Sequence, residues 1–174
     1  MRTIVLPGYS LKNKDWALAV QENFKHKNDI EVYMWKHWQS GSPGDFSAAG
    51  EALNLLAAIG RDKVNIIAKS IGTLVAMYLI GEAKDKINKI VLCGIPLGDI
   101  TPDRQETYRE ALTNFKSKNV LVIQNEQDSH GSYARVEQLI HSINKDINVE
   151  MGPGNTHDYP YFDEFNKFLK SGLF

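Results

Sequence analysis

The residue best placed for covalent chemistry is Ser70, which stands between an apolar, β-branched run and a helix-forming run in the stretch VNIIAKSIG (residues 64–72). A strand that turns sharply into a helix forces the turn residue into a strained backbone conformation. It also needs small residues two before and two after the turn, where strand and helix approach closely. Ala68 and Gly72 meet that need. Ser70 Oγ would then project above the carboxyl edge of a sheet. There the start of the helix and the amide of Ile71 stabilise negative charge developing on an attacked carbonyl. The chemistry this permits is nucleophilic, with an acyl group carried on the serine oxygen. The competing reading of Ser70 is a simple helix cap, a common role for serine.

At this turn the sequence resembles the α/β-hydrolase superfamily, with A-K-S-I-G standing for its G-x-S-x-G; Ala68 in place of the first glycine adds only a methyl group. Lys69 takes the variable position and is expected to be a rim cation without a catalytic role. The resemblance implies a triad in the chain order serine, acid, histidine, with the acid after a late strand and the histidine after the last one. After the run VLVI (residues 120–123) comes QNEQD, similar to the family's G-x-x-D. Asn125 replaces the glycine, which asparagine's tolerance of positive φ makes mild, and Asp128 becomes the implied acid. Glu126 is a competing carboxylate, and a turn or cap is the plainer role for Asp128. After the last strand candidate comes MGPGNTHDYP, whose glycine-rich loop carries His157 just ahead of a terminal helix opened by Pro160. His157 is the implied general base, and a loop histidine bonded to backbone or solvent is its alternative. The first strand ends in LPGYS, similar to the family's H-G-x oxyanion loop with Pro7 in place of histidine. The Tyr9 amide is then the second oxyanion donor beside Ile71, with Gly8 and Ser10 as alternatives. Gly8 would let that backbone approach substrate.

Other chemistries find less support. His26, His37, His130, His141 and His157 show none of the tight spacing of H-E-x-x-H, and His130, two residues beyond Asp128, is given neither that acid nor a metal as partner. The single cysteine, Cys93, ends a strand candidate and reads as a small buried residue. A phosphate-binding P-loop around Lys69-Ser70 would need glycine at positions 63 and 68, which are Lys63 and Ala68, and the first turn has only Gly8 of a dinucleotide fingerprint. No metal or organic cofactor is expected.

These residues need a scaffold, and the rest of the chain supplies its pattern. Short β-branched runs at 3–6, 30–35, 64–68, 89–93, 120–123 and 147–151 alternate with helical patterns near 14–26, 46–59, 71–80, 104–116, 132–143 and 160–170. That alternation predicts an α/β fold, a three-layer α/β/α sandwich around a mainly parallel six-stranded sheet. The run after Ile71 is apolar nearly all round and is expected to be sandwiched inside the protein. The stretch QSGSPGD (residues 39–45) reads as a loop into a helix that Asp45 caps. Tyr33, Trp35 and Trp38 follow the second strand, two of them expected in the core and the Trp38 region at the cleft.

The 174 residues fit one domain, 1–174, and their net charge of -1, from 20 Lys+Arg against 21 Asp+Glu, gives no basic field for nucleic acid or a membrane surface. The opening MRTIVLPGYS is too brief an apolar run for a signal or a spanning helix, so a cytoplasmic location is expected. Between the fourth and fifth strand candidates, residues 94–119 have room for one helix and no cap domain. The site is therefore expected to be shallow, bounded by Tyr9, Gly8, Trp38 and the stretch from Ile95 to Leu97, and to favour acetyl to butyryl groups. The resemblance thus implies a serine hydrolase acting on a small carboxylic ester or thioester, a small-molecule substrate. An acyltransferase using the same triad and a non-catalytic binding module on the same fold are the rivals.

Overall fold

The computed structural model describes residues 1–25 and 29–170. Six strands, β1 (Thr3–Leu6), β2 (Ile30–Val32), β3 (Val64–Lys69), β4 (Ile87–Cys93), β5 (Val120–Asn125) and β6 (Asn148–Gly152), form one sheet in the order β2-β1-β3-β4-β5-β6. All five neighbouring pairs are parallel. Among the described residues seven α-helices accompany them: α1 (Asn13–Asn23), α2 (Lys36–Ser40), α3 (Ala48–Ile59), α4 (Ile71–Ala83), α5 (Pro102–Thr113), α6 (Tyr133–Ile143) and α7 (Phe162–Lys170). The α/β sandwich expected from the alternation of runs is the fold, with a single α-helix between β4 and β5 and no cap.

Strand side chains alternate between the two faces. Ile4 and Leu6 of β1, Ile66 and Ala68 of β3, and Ile90 and Leu92 of β4 join one buried cluster with α3, α4, α5 and α6. Val5, Ile67, Val91 and Cys93 face the other way, against Trp16, Ala17 and Val20 of α1 and Phe165 and Leu169 of α7. Strands covered on both faces must be apolar on both, hence the near-continuous runs in the sequence. α4 lies in the thicker layer, buried on most sides as its composition predicts.

The chain leaves β1 outward to β2, returns through α3 to β3, and then proceeds the other way to β6. The direction of winding reverses between β1 and β3, and a crevice opens there beyond the carboxyl ends of the strands. Segments 7–10 and 70–72 flank it.

Several boundaries differ from the expected ones. β2 stops at Val32, and Trp35 instead precedes the short helix α2, which Gly41 closes at φ +70. Ser47, not Asp45, caps α3, its Oγ accepting from Gly50 N at 3.3 Å, while Asp45 lies in a 3₁₀ turn. β5 continues two residues past its apolar run because Gln124 finds polar partners inside, Ile95 N among them at 2.9 Å. The end of the helical pattern at residue 26, with His26, lies outside the described residues.

Candidate active site

Ser70 has φ +54 and ψ -128, and among the described residues no other non-glycine residue has a positive φ. Such a conformation costs about 1–3 kcal/mol and persists only where the surroundings enforce it. Here Ser70 N donates to Cys93 O at 3.0 Å, while Ser70 O accepts from Thr73 N at 2.9 Å and Thr73 Oγ1 at 2.6 Å. Gly72 is compulsory, since a Cβ would stand 2.3 Å from Leu6 O. The capping alternative for Ser70 does not hold, because its side chain makes no cap hydrogen bond to α4. The hydroxyl is left for the cavity, and Ile71, first residue of α4, has no acceptor for its amide within the helix.

Asp128 follows β5 and is 3% exposed. One oxygen accepts from His130 N at 2.8 Å, and the other pairs with His157 Nδ1 at 2.7 Å and accepts from Tyr159 OH at 2.5 Å. Burial alone would raise its pKa, but the hydrogen bonds from His157, Tyr159 and the His130 amide outweigh it and hold the carboxyl below its ordinary range. Burial, and then the bond to Asp128, pushes the Tyr159 hydroxyl far up, so it remains a donor. An anionic Asp128 requires the hydrogen of His157 on Nδ1, which leaves Nε2 with its lone pair. Nε2 is buried without a partner, and His157 lines the same cavity as Ser70. No hydrogen bond joins the two; bonds of this kind commonly tighten only once substrate is in place. Glu126, the competing carboxylate, is exposed, and among the described residues its side chain contacts neither histidine.

The loop carrying His157 is held from both sides. Asn125 Nδ2 donates to Thr156 O at 2.7 Å and Asp158 O at 2.8 Å. Asn125 does not take the positive φ expected of a glycine substitute; it is the last residue of β5, and its side chain does the work. Gly152 and Gly154 give it room, since a Cβ on them would lie 2.3 Å from Asn125 Oδ1 and 2.9 Å from Nδ2. His130 packs on His157, ring centroids 4.2 Å apart, and its Nδ1 pairs with Asp99. Its backbone, not its ring, contacts Asp128. Among the described residues no cluster of His, Cys, Asp or Glu could hold a metal.

Four expected substrate contacts fall elsewhere. Gly8 does not line the cavity; Asn13 occupies the space its side chain would need, 2.6 Å from a Cβ. Trp38 lies behind Tyr9, its Nε1 donating to Tyr9 O at 2.7 Å. Ile95 and Leu97 point into the core, and Pro96 between them reaches the cavity. Lys69 is no rim cation: it is 5% exposed, donates to Asn13 Oδ1 at 3.0 Å and lies over the Trp16 ring. Burial lowers its pKa. Sequence reasoning missed Tyr159, Asn13 and His37, polar partners named by contact rather than by spacing.

The cavity measures about 630 Å³, with Tyr9, Phe46, Ala48, Ile71, Tyr78 and Ile100 among its walls. The QSGSPGD loop and the segment leading into α5 fold over to supply Pro43 and Ile100, which a count of helices alone could not reveal.

The alpha/beta hydrolase domain family matches residues 47–166. No curated protein matches the chain. Among solved structures it is similar to alpha/beta hydrolase domain-containing protein 10 from mouse, at 12% identity and TM-score 0.67, covering 96% of this chain and 87% of that one. It is also similar to a serine hydrolase without lid from Xanthomonas campestris, at 14% and 0.61, covering 97% and 78%. Est1E from Butyrivibrio proteoclasticus, solved with ferulic acid bound, matches at 17% and 0.64, covering 96% and 87%. At such identities these likenesses speak for the fold.

Proposed function

The chain belongs to the alpha/beta hydrolase family, and on that premise we propose that it is a serine hydrolase cleaving a small carboxylic ester or thioester through an acyl-enzyme on Ser70. The observation that carries this reading is the His157–Asp128 pair at 2.7 Å, with the Nε2 of His157 buried without a partner and His157 lining the same cavity as the strained Ser70. His157 removes the hydroxyl proton as Ser70 attacks the carbonyl, and the amides of Ile71 and Tyr9 hold the oxyanion. The imidazolium beside Asp128 then protonates the leaving group, and His157 activates water to release the acid and regenerate Ser70.

A fluorophosphonate probe tests this directly. It should label Ser70 alone on the folded protein, mapped by mass spectrometry, because fast reaction needs both a base and an oxyanion site. Labelling at another residue, or none, rejects the assignment.

The apolar walls also bear on the acyl group. Each methylene that leaves water is worth roughly 0.8 kcal/mol, about fourfold in kcat/KM. On p-nitrophenyl esters, kcat/KM should therefore rise past acetate to at least hexanoate, in place of the peak between acetate and butyrate expected from sequence. With no cap to open, lipid–water interfaces should give no activation. A flat profile from acetate to hexanoate would mean that these walls do not receive the acyl chain.

A further inference from the structure

The loop after β1 carries two amides, Tyr9 N–H and Ser10 N–H, that donate to no acceptor among the described residues. The carbonyls on the other side of these two peptides, Gly8 O and Tyr9 O, are in contrast engaged by one segment, Trp35-Lys36-His37-Trp38, at the carboxyl end of the neighbouring β2. Trp35 Nε1 donates to Gly8 O at 3.0 Å, and His37 Nε2 and Trp38 Nε1 donate to Tyr9 O at 2.8 and 2.7 Å. A carbonyl accepts, so His37 carries its hydrogen on Nε2. Nδ1 is buried without a partner. The His37 ring stacks on that of Tyr9, centroids 4.5 Å apart, with Phe46 edge-on at 5.1 Å.

A trans peptide is planar, with its C=O and N–H pointing in opposite directions. Turning Gly8 C=O toward Trp35 therefore turns Tyr9 N–H away from it, and fixing Tyr9 C=O fixes Ser10 N–H in the same manner. We infer that Trp35, His37 and Trp38 are positioning residues whose three N–H groups orient the oxyanion-donating amides after β1. This rests on the reading of Ser70 as the acyl-carrying nucleophile. The loop needs such a clamp because it has no strand partner beyond Leu6 and Tyr9 is exposed. A rotated peptide would offer a carbonyl oxygen to the oxyanion, and donors help catalysis only when oriented beforehand.

The test pairs Trp35→Phe, which removes the donor to Gly8 O and so frees Tyr9 N–H, with the double variant His37→Phe/Trp38→Phe, which removes both donors to Tyr9 O and so frees Ser10 N–H. Deleting an oxyanion donor outright costs about 10²–10³ in kcat, and loosening its orientation should cost roughly 10–100-fold. KM should stay within about threefold. Affinity for phenylboronic acid, whose adduct with the serine carries the oxyanion, should fall by the same factor as kcat. His37→Phe or Trp38→Phe alone, keeping one donor to Tyr9 O, should lose less than the double. A folded Trp35→Phe protein with unchanged kcat, or one that loses only thermal stability, overturns the proposal. Imidazole ¹H–¹⁵N spectra of the unmodified protein give a readout independent of turnover. They should show His37 as the Nε2–H tautomer, and an Nδ1–H tautomer overturns the clamp whatever the activity. If fluorophosphonate fails to label Ser70 while His37 is Nε2–H, the clamp stands but the hydrolase reading fails, and the catalytic role assigned to the clamp falls with it.

Discussion

Ser70→Ala and His157→Ala should each lower kcat on a p-nitrophenyl ester by about 10⁵–10⁶-fold, and the double variant should be little worse than either. The serine is a poor nucleophile without the imidazole, and the imidazole has no proton to take without the serine, so removing one already removes the function of the other. Asp128→Asn should cost less, about 10⁴-fold. The amide can still meet Nδ1, but as a donor it favours the tautomer with the hydrogen on Nε2, where a lone pair is required. The surroundings sharpen this expectation, because Oδ2 also receives Tyr159 OH, and an NH₂ in that place would face two donors. Glu126→Gln should leave kcat near that of the unmodified protein. Steady-state kinetics of the five variants beside the unmodified protein decide the matter: a double variant whose loss is the product of the single losses, or a severe Glu126→Gln beside a mild Asp128→Asn, refutes this assignment of roles.

Gly72→Ala should be the most disruptive single-methyl change in the chain. Its Cβ would stand 2.3 Å from Leu6 O and 2.7 Å from Pro7 O, backbone atoms of the end of β1 and of the loop that bears the proposed oxyanion donors. Neither can yield as the end of a side chain would, so β1 and α4 must separate. Overpacking of this severity reaches about 3 kcal/mol or more, which for a chain of this size is a fall in Tm of roughly 6–12 °C. Ser70 would move with α4, so activity should fall as well. Gly81→Ala is the matched control: it lies in the same helix, nothing stands within 4 Å of its added Cβ, and it should gain up to about 1 kcal/mol from helix propensity. Thermal melts of both variants test the argument, and a Gly72→Ala protein that melts with the unmodified one rejects the close approach of β1 to α4.

How much of this was legible beforehand follows from what each signal encodes. The six strands were visible because burial on both faces demands uninterrupted β-branched runs, and Ser70 because its turn needs small residues at fixed positions. Polar residues that fold inward leave no such trace. Lys69 reads as exposed by its charge, yet Asn13 and Trp16 of α1, more than fifty residues earlier, make a buried place for its ammonium. Gln124 and Asn125 read as the end of a strand because they are polar, yet both are fully buried and bonded. Trp38 was drawn toward the cleft by its position after β2, but its indole N–H is what matters, and the acceptor on Tyr9 cannot be inferred from spacing. Helix α2 is too short to show a periodicity.

Asn125, Gly152 and Gly154 have a consequence for how such a chain diversifies. The asparagine amide fills the volume that side chains at the two glycines would occupy, so the three positions are inherited as one unit. A lineage that replaced Asn125 with glycine would lose both hydrogen bonds to the histidine loop and clear the atoms nearest a Cβ at Gly154, while a Cβ at Gly152 would still stand 2.6 Å from Tyr161 OH. A lineage that enlarged either glycine first would expel the amide and release the loop. Substitutions at residue 125 and at residues 152 and 154 should therefore covary among descendants of this sequence, because a change at any one of them alone loosens the histidine loop.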